Sequence, residues 1–313
     1  MAPKKKTAPK KKPRVTGTVA SRKAEKEAKK KKPPPKPIGR PKILPDPPKK
    51  KRTMEDWGIR SKSEAIALIP KLSRAEQIEL IEVLEADAYK RKTNKIHEYF
   101  PAGGPLRRDL YRAHMAFFNA GAEHRERLIL AGNRVGKTVA GAFETTLHAT
   151  GEYPDWWQGK RFTSPTNIVV AGDTAQTVRD VIQMELLGAV NDHGTGMIPK
   201  NRIKKTRPKA GNISDAVESI YVEHVSGGVS SITLKSYAEG RISFQGTARH
   251  VVWLDEEPPF TVYEECLLRT MTTNGIVMLT FTPLKGMSDV VLAFLPDGKL
   301  PEDGYMVTEA DAA

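Results

Sequence analysis

A chain of 313 residues with 39% apolar and 28% charged side chains holds enough apolar material for a core of ordinary size in one or two domains. No apolar run approaches the roughly 18–20 residues that cross a bilayer, and the N-terminus lacks the charged stub and apolar segment of a secretory leader, so neither membrane insertion nor secretion is expected. The single cysteine, Cys266, excludes an internal disulfide or a multi-thiol metal site, which fits a reducing compartment. The net charge of +14 is unevenly spread: residues 1–52 carry 21 Lys and Arg against 3 acids, leaving 30 basic and 34 acidic residues for the remainder.

Residues 1–52 repeat KKK, PPP and PKP with hardly a large apolar side chain, a composition that cannot offset the entropy of ordering it, so a disordered tail is expected. Its charge suits DNA or another polyanion, bound by counterion release; a solubilising tail or processed leader has the same composition. Residues 53–100 read as helical. Ser73 and Glu76 have capping-box spacing, and Ile78, Ile81, Leu84 and Ala88 form a stripe that predicts a helix from about Arg74 to Lys90, more in keeping with a packing face than a docking site. Pro101, Gly103, Gly104 and Pro105 break the pattern and mark a boundary or hinge.

From 101 to 296, short apolar runs alternate with helical stretches. Leu128–Ala131, Ile168–Ala171, Ile232–Leu234, Val251–Leu254 and Ile276–Leu279 read as strands buried on both faces. Helical patterns over Thr138–Ala149 and Thr174–Leu187 supply crossovers, which predicts an α/β fold: a mostly parallel sheet flanked by helices. Residues 191–231 are polar with several glycines and read as an insertion or hairpin; residues 297–313 read as an exit linker.

Three motifs carry the chemistry. The first, 130-LAGNRVGKTVAGA-142, follows a strand and opens a helix, as a phosphate loop of the form GxxxxGK[ST] does. Gly136 supplies the tight turn, Lys137 a charge for the β- and γ-phosphates, and Thr138 a hydroxyl for Mg²⁺; Gly132, Asn133, Arg134 and Val135 complete the cradle. Ala131 stands where the first glycine belongs, and Gly132 beside it offers the turn one residue later. The second motif, 251-VVWLDEE-257, lies 118 residues beyond Lys137 as measured to Asp255: a buried strand ending in carboxylates. Asp255 suits the magnesium shell with Thr138, and Glu256 suits activation of the attacking water, with Glu257 as the alternative base. The third, 280-TFTPLKG-286, puts Thr280 and Thr282 at the carboxyl edge of a sheet, where ligands of open α/β folds bind, or in an ST-type turn before Pro283.

In this order the motifs resemble the large subunit of tailed-phage terminases. The likeness runs from about Leu106 to Phe294 and includes AGNRVGKT, TGEYPDWWQGKRF, IVVAGDTAQTVRDVIQ, KSYAEGRISFQGTARHVVWLDEEPP and TFTPLKGMS. The resemblance implies an additional-strand (ASCE) P-loop ATPase that uses ATP and Mg²⁺ to drive double-stranded DNA into a procapsid. Its expected partners are the terminase small subunit, the portal protein and further copies in a homo-oligomeric ring, with no membrane; its expected place is the host cytoplasm, transiently at the portal, and not the mature virion. Lys137 and Thr138 match the family's phosphate-loop residues, Asp255 its metal-binding aspartate, Glu256 its catalytic glutamate, and Thr280–Pro283 its coupling motif. Three arginines are placed to neutralise transition-state charge: Arg134, which is favoured, Arg241 and Arg249, the last also suited to a structural ion pair. Many relatives carry the loop arginine four residues before the lysine, where this chain has Asn133. Tyr111 and His114 are the candidates for contact with adenine, Phe117 and Phe118 for the core, and Trp156 and Trp157 for loop anchors rather than a nucleic-acid platform.

Terminases of this kind continue into an RNase H-like nuclease. Here the sequence ends at Ala313, and Asp289, Asp297, Asp303 and Asp311 sit on a glycine-rich exit, so an ATPase portion without nuclease activity is expected. Two other readings stay open. One is a helicase-like DNA-dependent ATPase, which needs a second RecA-like domain; the other is a nucleotide-binding but catalytically idle subunit that tethers DNA through the basic tail.

Overall fold

The computed structural model describes residues 52–302 and Gly304. The tail expected to be disordered, except Arg52, and the exit residues Asp303 and 305–313 lie outside the described residues.

Two helices come first. α1 (Lys62–Leu68) is capped by Ser61, which accepts from Glu64 N, and α2 (Arg74–Thr93) opens with the Ser73–Glu76 capping box. They enclose a small cluster of Ile59, Ala65 and Leu80, backed by Trp57, Leu72 and Leu84. The packing face of α2 differs from the expected stripe: Leu80 and Leu84 point inward, whereas Ile78 (53% exposed), Ile81 (44%) and Ala88 face outward. Leu80 and Leu84 are four residues apart and so neighbours on the helix surface; one partner surface is enough to rotate the buried arc away from Ile78.

Among the described residues, seven strands form one sheet in the order β1-β7-β6-β2-β5-β4-β3. They are β1 (Glu126–Leu130), β2 (Asn167–Gly172), β3 (Ile203–Pro208), β4 (Val217–Glu223), β5 (Val229–Ser236), β6 (Val251–Asp255) and β7 (Ile276–Phe281). β1, β7, β6, β2 and β5 are parallel, and β4 and β3 extend the sheet antiparallel, so residues 191–231 contain the hairpin expected there. β7 lies between the phosphate-loop strand β1 and the acidic strand β6, which is the additional-strand order. Strand period 2 divides each central strand between two layers. Ile168, Val170, Val251, Trp253, Ile276 and Met278 face one apolar layer, while Val169, Ala171, Val252, Leu254, Val277 and Leu279 face the other.

The first layer is closed by α3 (Arg112–Ala120), α4 (Lys137–Thr150) and α5, a helical segment over residues 175–187 with a π-helical stretch at Val178–Gln183. The second layer is closed by α6 (Phe260–Thr270) and α7 (Asp289–Phe294). Phe117 and Phe118 are core residues, as expected.

α4 packs so closely on β6 that a Cβ at Gly141 would sit 2.1 Å from Cε2 of Trp253, a side chain with no exposed surface in which to retreat. Gly141→Ala is therefore expected to destabilise the fold by about 1–3 kcal/mol, the usual cost of overpacking a filled core. An unchanged urea midpoint would show that the ring has room to move.

Candidate functional site

The phosphate loop joins β1 to α4, and the left-handed conformations that let it turn belong to Arg134 (φ 65°) and Gly136 (φ 85°). This corrects the expectation for Gly132, which has no positive φ; its carbonyl instead accepts from Lys137 Nζ at 2.6 Å. The positive φ favours glycine at 136, and a Cβ there would also lie 3.2 Å from His114 Nε2, a tight contact that the ring would have to yield to. No side chain caps the N-terminus of α4, so its first-turn N–H groups and its dipole face the loop, an arrangement that favours an anion. The Lys137 ammonium, on a largely buried side chain, also donates to Thr282 Oγ1 at 3.0 Å, and Thr282 in turn donates to Asn133 Oδ1 at 2.9 Å. Asn133, Arg134 and Val135 are exposed at the loop crest.

Across the loop, β6 and β7 end side by side, with Asp255 paired to Thr280 in register. Thr138 Oγ1 lies 3.2 Å from both carboxylate oxygens of Asp255, and Thr280 Oγ1 donates to Asp255 Oδ1 at 2.7 Å. Burial pushes the Asp255 carboxyl up to about 7, against the opposing pull of the Thr280 hydrogen bond. A hydroxyl and a carboxylate are hard oxygen donors, and no cluster of three or more His, Cys, Asp or Glu competes for a metal among the described residues. That small set suits Mg²⁺, which keeps waters and phosphate oxygens rather than entering a cage made wholly of protein.

The next residue turns sharply. Glu256 adopts φ 63°, an uncommon conformation for a side-chain-bearing residue, and its backbone is held by Thr280 O, which accepts from Glu256 N at 3.1 Å. The Tyr237 hydroxyl lies 2.9 Å from Glu256 O and 3.0 Å from Asp255 O, fastening the same kink. The turn leaves the Glu256 side chain exposed. Glu257, the alternative base, is nearly buried: one oxygen is 3.9 Å from Lys285 Nζ and the other has no hydrogen-bond partner. Of the two, Glu256 is the one open to solvent.

Tyr111 and His114 come together at a cavity of about 300 Å³ beside the loop, also lined by Arg134, Val135 and Gly136. Burial holds His114 below its usual range, so its ring is neutral at pH 7, with Nε2 3.4 Å from Gly136 O. Tyr99, Phe100, Leu106 and Val139 complete the walls and were not foreseen. The signal available was the aromatic pair 99-YF-100 ahead of the glycine-rich break; Phe100 packs edge-on against both Tyr111 and Phe143.

The three arginines separate. Arg134 makes no hydrogen bond or ion pair among the described residues and lines the cavity. Arg241 is committed to Glu265 at 3.0 Å. Arg249 bonds Asn167 Oδ1 at 2.5 Å, at the strand edge opposite the loop; its partner is an amide, not the carboxylate an ion pair requires. Trp157 is buried, and Trp156 stacks on Phe143 with rings 6° apart, so both are anchors, as expected.

The family described as "Terminase large subunit, T4likevirus-type, N-terminal" matches residues 128–307. The chain is 36% identical over 269 residues to the terminase large subunit of Salmonella phage P22, covering 80% of this chain and 52% of that protein. It is 23% identical over 270 residues to the terminase large subunit of Enterobacteria phage LP7, covering 80% and 54%. The chain thus spans about half the length of these relatives. Among solved structures, the HK97 bacteriophage large terminase is similar over 71% of this chain and 46% of that one, with 14% identity and a TM-score of 0.45.

Proposed function

Because this chain belongs to the terminase large-subunit family, we propose that it is the ATP-hydrolysing portion of a packaging motor, coupling hydrolysis to movement of double-stranded DNA into a procapsid. The observation that carries this reading is the convergence of Lys137, Thr138 and Asp255 at one rim of the sheet, with Glu256 next in the chain and open to solvent.

Each residue has a task set by its geometry. The loop N–H groups and α4 take the phosphates, and the cavity beside Tyr111 and His114 takes the adenine. Lys137 now shares its protons between Gly132 O and Thr282 Oγ1; phosphate oxygens replace these acceptors, which releases Thr282, at the start of the segment that follows β7, from the lysine and leaves it on Asn133 alone. That exchange links occupancy to movement. Thr138 and Asp255 hold Mg²⁺, which when bound supplies charge neutralisation and aligns the phosphates. Glu256 orients and deprotonates the attacking water. Arg134, left-handed and unpaired, is the cation available for the charge that develops on the γ-phosphate.

The proposed partners are duplex DNA, the small subunit, the portal protein and further copies in a ring, and the proposed place is the host cytoplasm with transient docking at the portal. The test is ATP turnover with and without duplex DNA, followed by DNA entry into procapsids with small subunit and portal added. DNA-stimulated turnover supports the motor. No turnover with every component present would favour an idle, DNA-tethering subunit.

The tail is separable. Removing residues 1–52 is expected to weaken DNA binding and to flatten the negative slope of log affinity against log salt, by about 0.9 for each phosphate that the tail neutralises. A slope equal to that of the full chain would exclude the tail from the DNA interface.

A further inference from the structure

We propose that Trp253 is a positioning residue for the metal-facing carboxylate, its indole N–H committing the single proton of Thr280 to Asp255. The inference rests on the reading of Asp255 and Thr138 as the magnesium-holding pair.

The argument is one of donors and acceptors. An indole N–H can only donate, and Trp253 Nε1 lies 2.7 Å from Thr280 Oγ1, so the threonine oxygen accepts there. A hydroxyl has one proton, and Asp255 Oδ1 stands 2.7 Å away to receive it. Trp253 and Thr280 have no exposed surface, so water does not compete for either bond. The direction of the chain is therefore fixed: Trp253 to Thr280 to Asp255. Hydrogen bonds aligned in series in a dry interior polarise and strengthen one another.

The ring is itself held. It fills the space at Gly141 where any other residue would place a Cβ, so the phosphate-loop helix sets the indole, the indole sets the Thr280 proton, and that proton sets the Asp255 carboxylate opposite Thr138. Partners of this kind, one step behind a metal ligand, orient it and tune its affinity.

A consequence separates the two threonines of the third motif. The Thr280 proton is spent on Asp255, whereas Thr282 sits on Lys137 and Asn133 at the loop. Thr280 therefore serves the metal carboxylate, and Thr282 alone is the hydroxyl that senses the phosphates.

The test measures ADP affinity by calorimetry in Mg²⁺ and in EDTA for wild type, Trp253→Phe, Thr280→Val and Thr280→Ser. Trp253→Phe and Thr280→Val are expected to lose roughly tenfold or more of the magnesium-dependent gain in affinity, the scale found when partners of metal ligands are removed. Their affinities in EDTA should stay at the wild-type level, and Thr280→Ser should keep the gain. Thr280→Val preserves shape, so it keeps the Thr280-to-Asp255 step, on which the role of Trp253 depends, open to refutation even if Trp253→Phe folds poorly. A full magnesium gain in Trp253→Phe or in Thr280→Val, or its loss in Thr280→Ser, overturns the inference. A wild type without any magnesium gain removes the metal-site reading itself, and the inference with it.

Discussion

Glu256→Gln is expected to bind ATP as the wild type does and to turn it over about 10²–10⁴-fold more slowly, the range for loss of a general base. Glutamine keeps the shape and the left-handed backbone held by Thr280 and Tyr237, so only proton acceptance is lost. Lys137→Ala should fail earlier, at binding, because its ammonium is the charge at the loop and the brace on Gly132 and Thr282. Glu257→Gln is the internal control: that side chain faces Lys285 out of solvent, and its loss should affect turnover far less. Fluorescent-nucleotide binding and single-turnover hydrolysis check all three. Turnover indifferent to Glu256→Gln and Lys137→Ala would sink the site.

Glu144→Ala is expected to cost about 3–5 kcal/mol of stability, because it strands a buried charge. Arg127 on β1 donates to both Glu144 oxygens, at 2.7 and 3.1 Å, and to Phe117 O on α3 at 2.6 Å, with both charged side chains almost wholly enclosed. His148 Nε2 meets the same carboxylate at 3.1 Å and its Nδ1 meets Tyr153 OH at 2.9 Å. This network ties the phosphate-loop strand to the phosphate-loop helix. Arg127→Met with Glu144→Leu should recover most of the loss, since apolar residues of similar size can replace a buried pair. Chemical denaturation of the single and double variants decides it; a loss under about 1 kcal/mol in Glu144→Ala would mean that water reaches Arg127.

The same network predicts weakness in acid. Burial holds His148 below its ordinary value of 6.5, so below that pH the unfolded chain takes up a proton that the folded chain refuses, and stability falls. Burial alone would raise Glu144, but Arg127 and His148 outweigh it and hold the carboxyl below its ordinary 4.5; its contribution is complete above that pH and is lost below it. A urea midpoint that stays flat from pH 7 to 5 would contradict the assignment to His148.

Much of the site was legible because its residues sit at the ends of strongly patterned strands. The runs RLIL, VVWL and IVML announce buried strands, and chain direction then puts the loop, Asp255 and Thr280 at one edge. The walls of the cavity proposed for adenine were legible only in part. Tyr111 and His114 lie at the N-cap and in the first turn of the helix before β1, but Tyr99 and Phe100 join them across a glycine-rich break whose path no local pattern dictates. The outward face of α2 escaped for a related reason: helical period supplies a stripe, and only the partner surface chooses which arc is buried.

Local chemistry along the chain was enough to determine the parallel sheet, the phosphate loop and the acids opposite it, since each depends on neighbours within a few residues or on strand polarity. Tertiary packing decided the rest. Whether Glu256 or Glu257 reaches solvent, which threonine serves Asp255, and which arginine stays unpaired all depend on partners 16 to 149 residues away. A side chain's role in a buried, low-dielectric site is set by the few donors and acceptors within about 3 Å of it, and sequence separation carries no record of that distance.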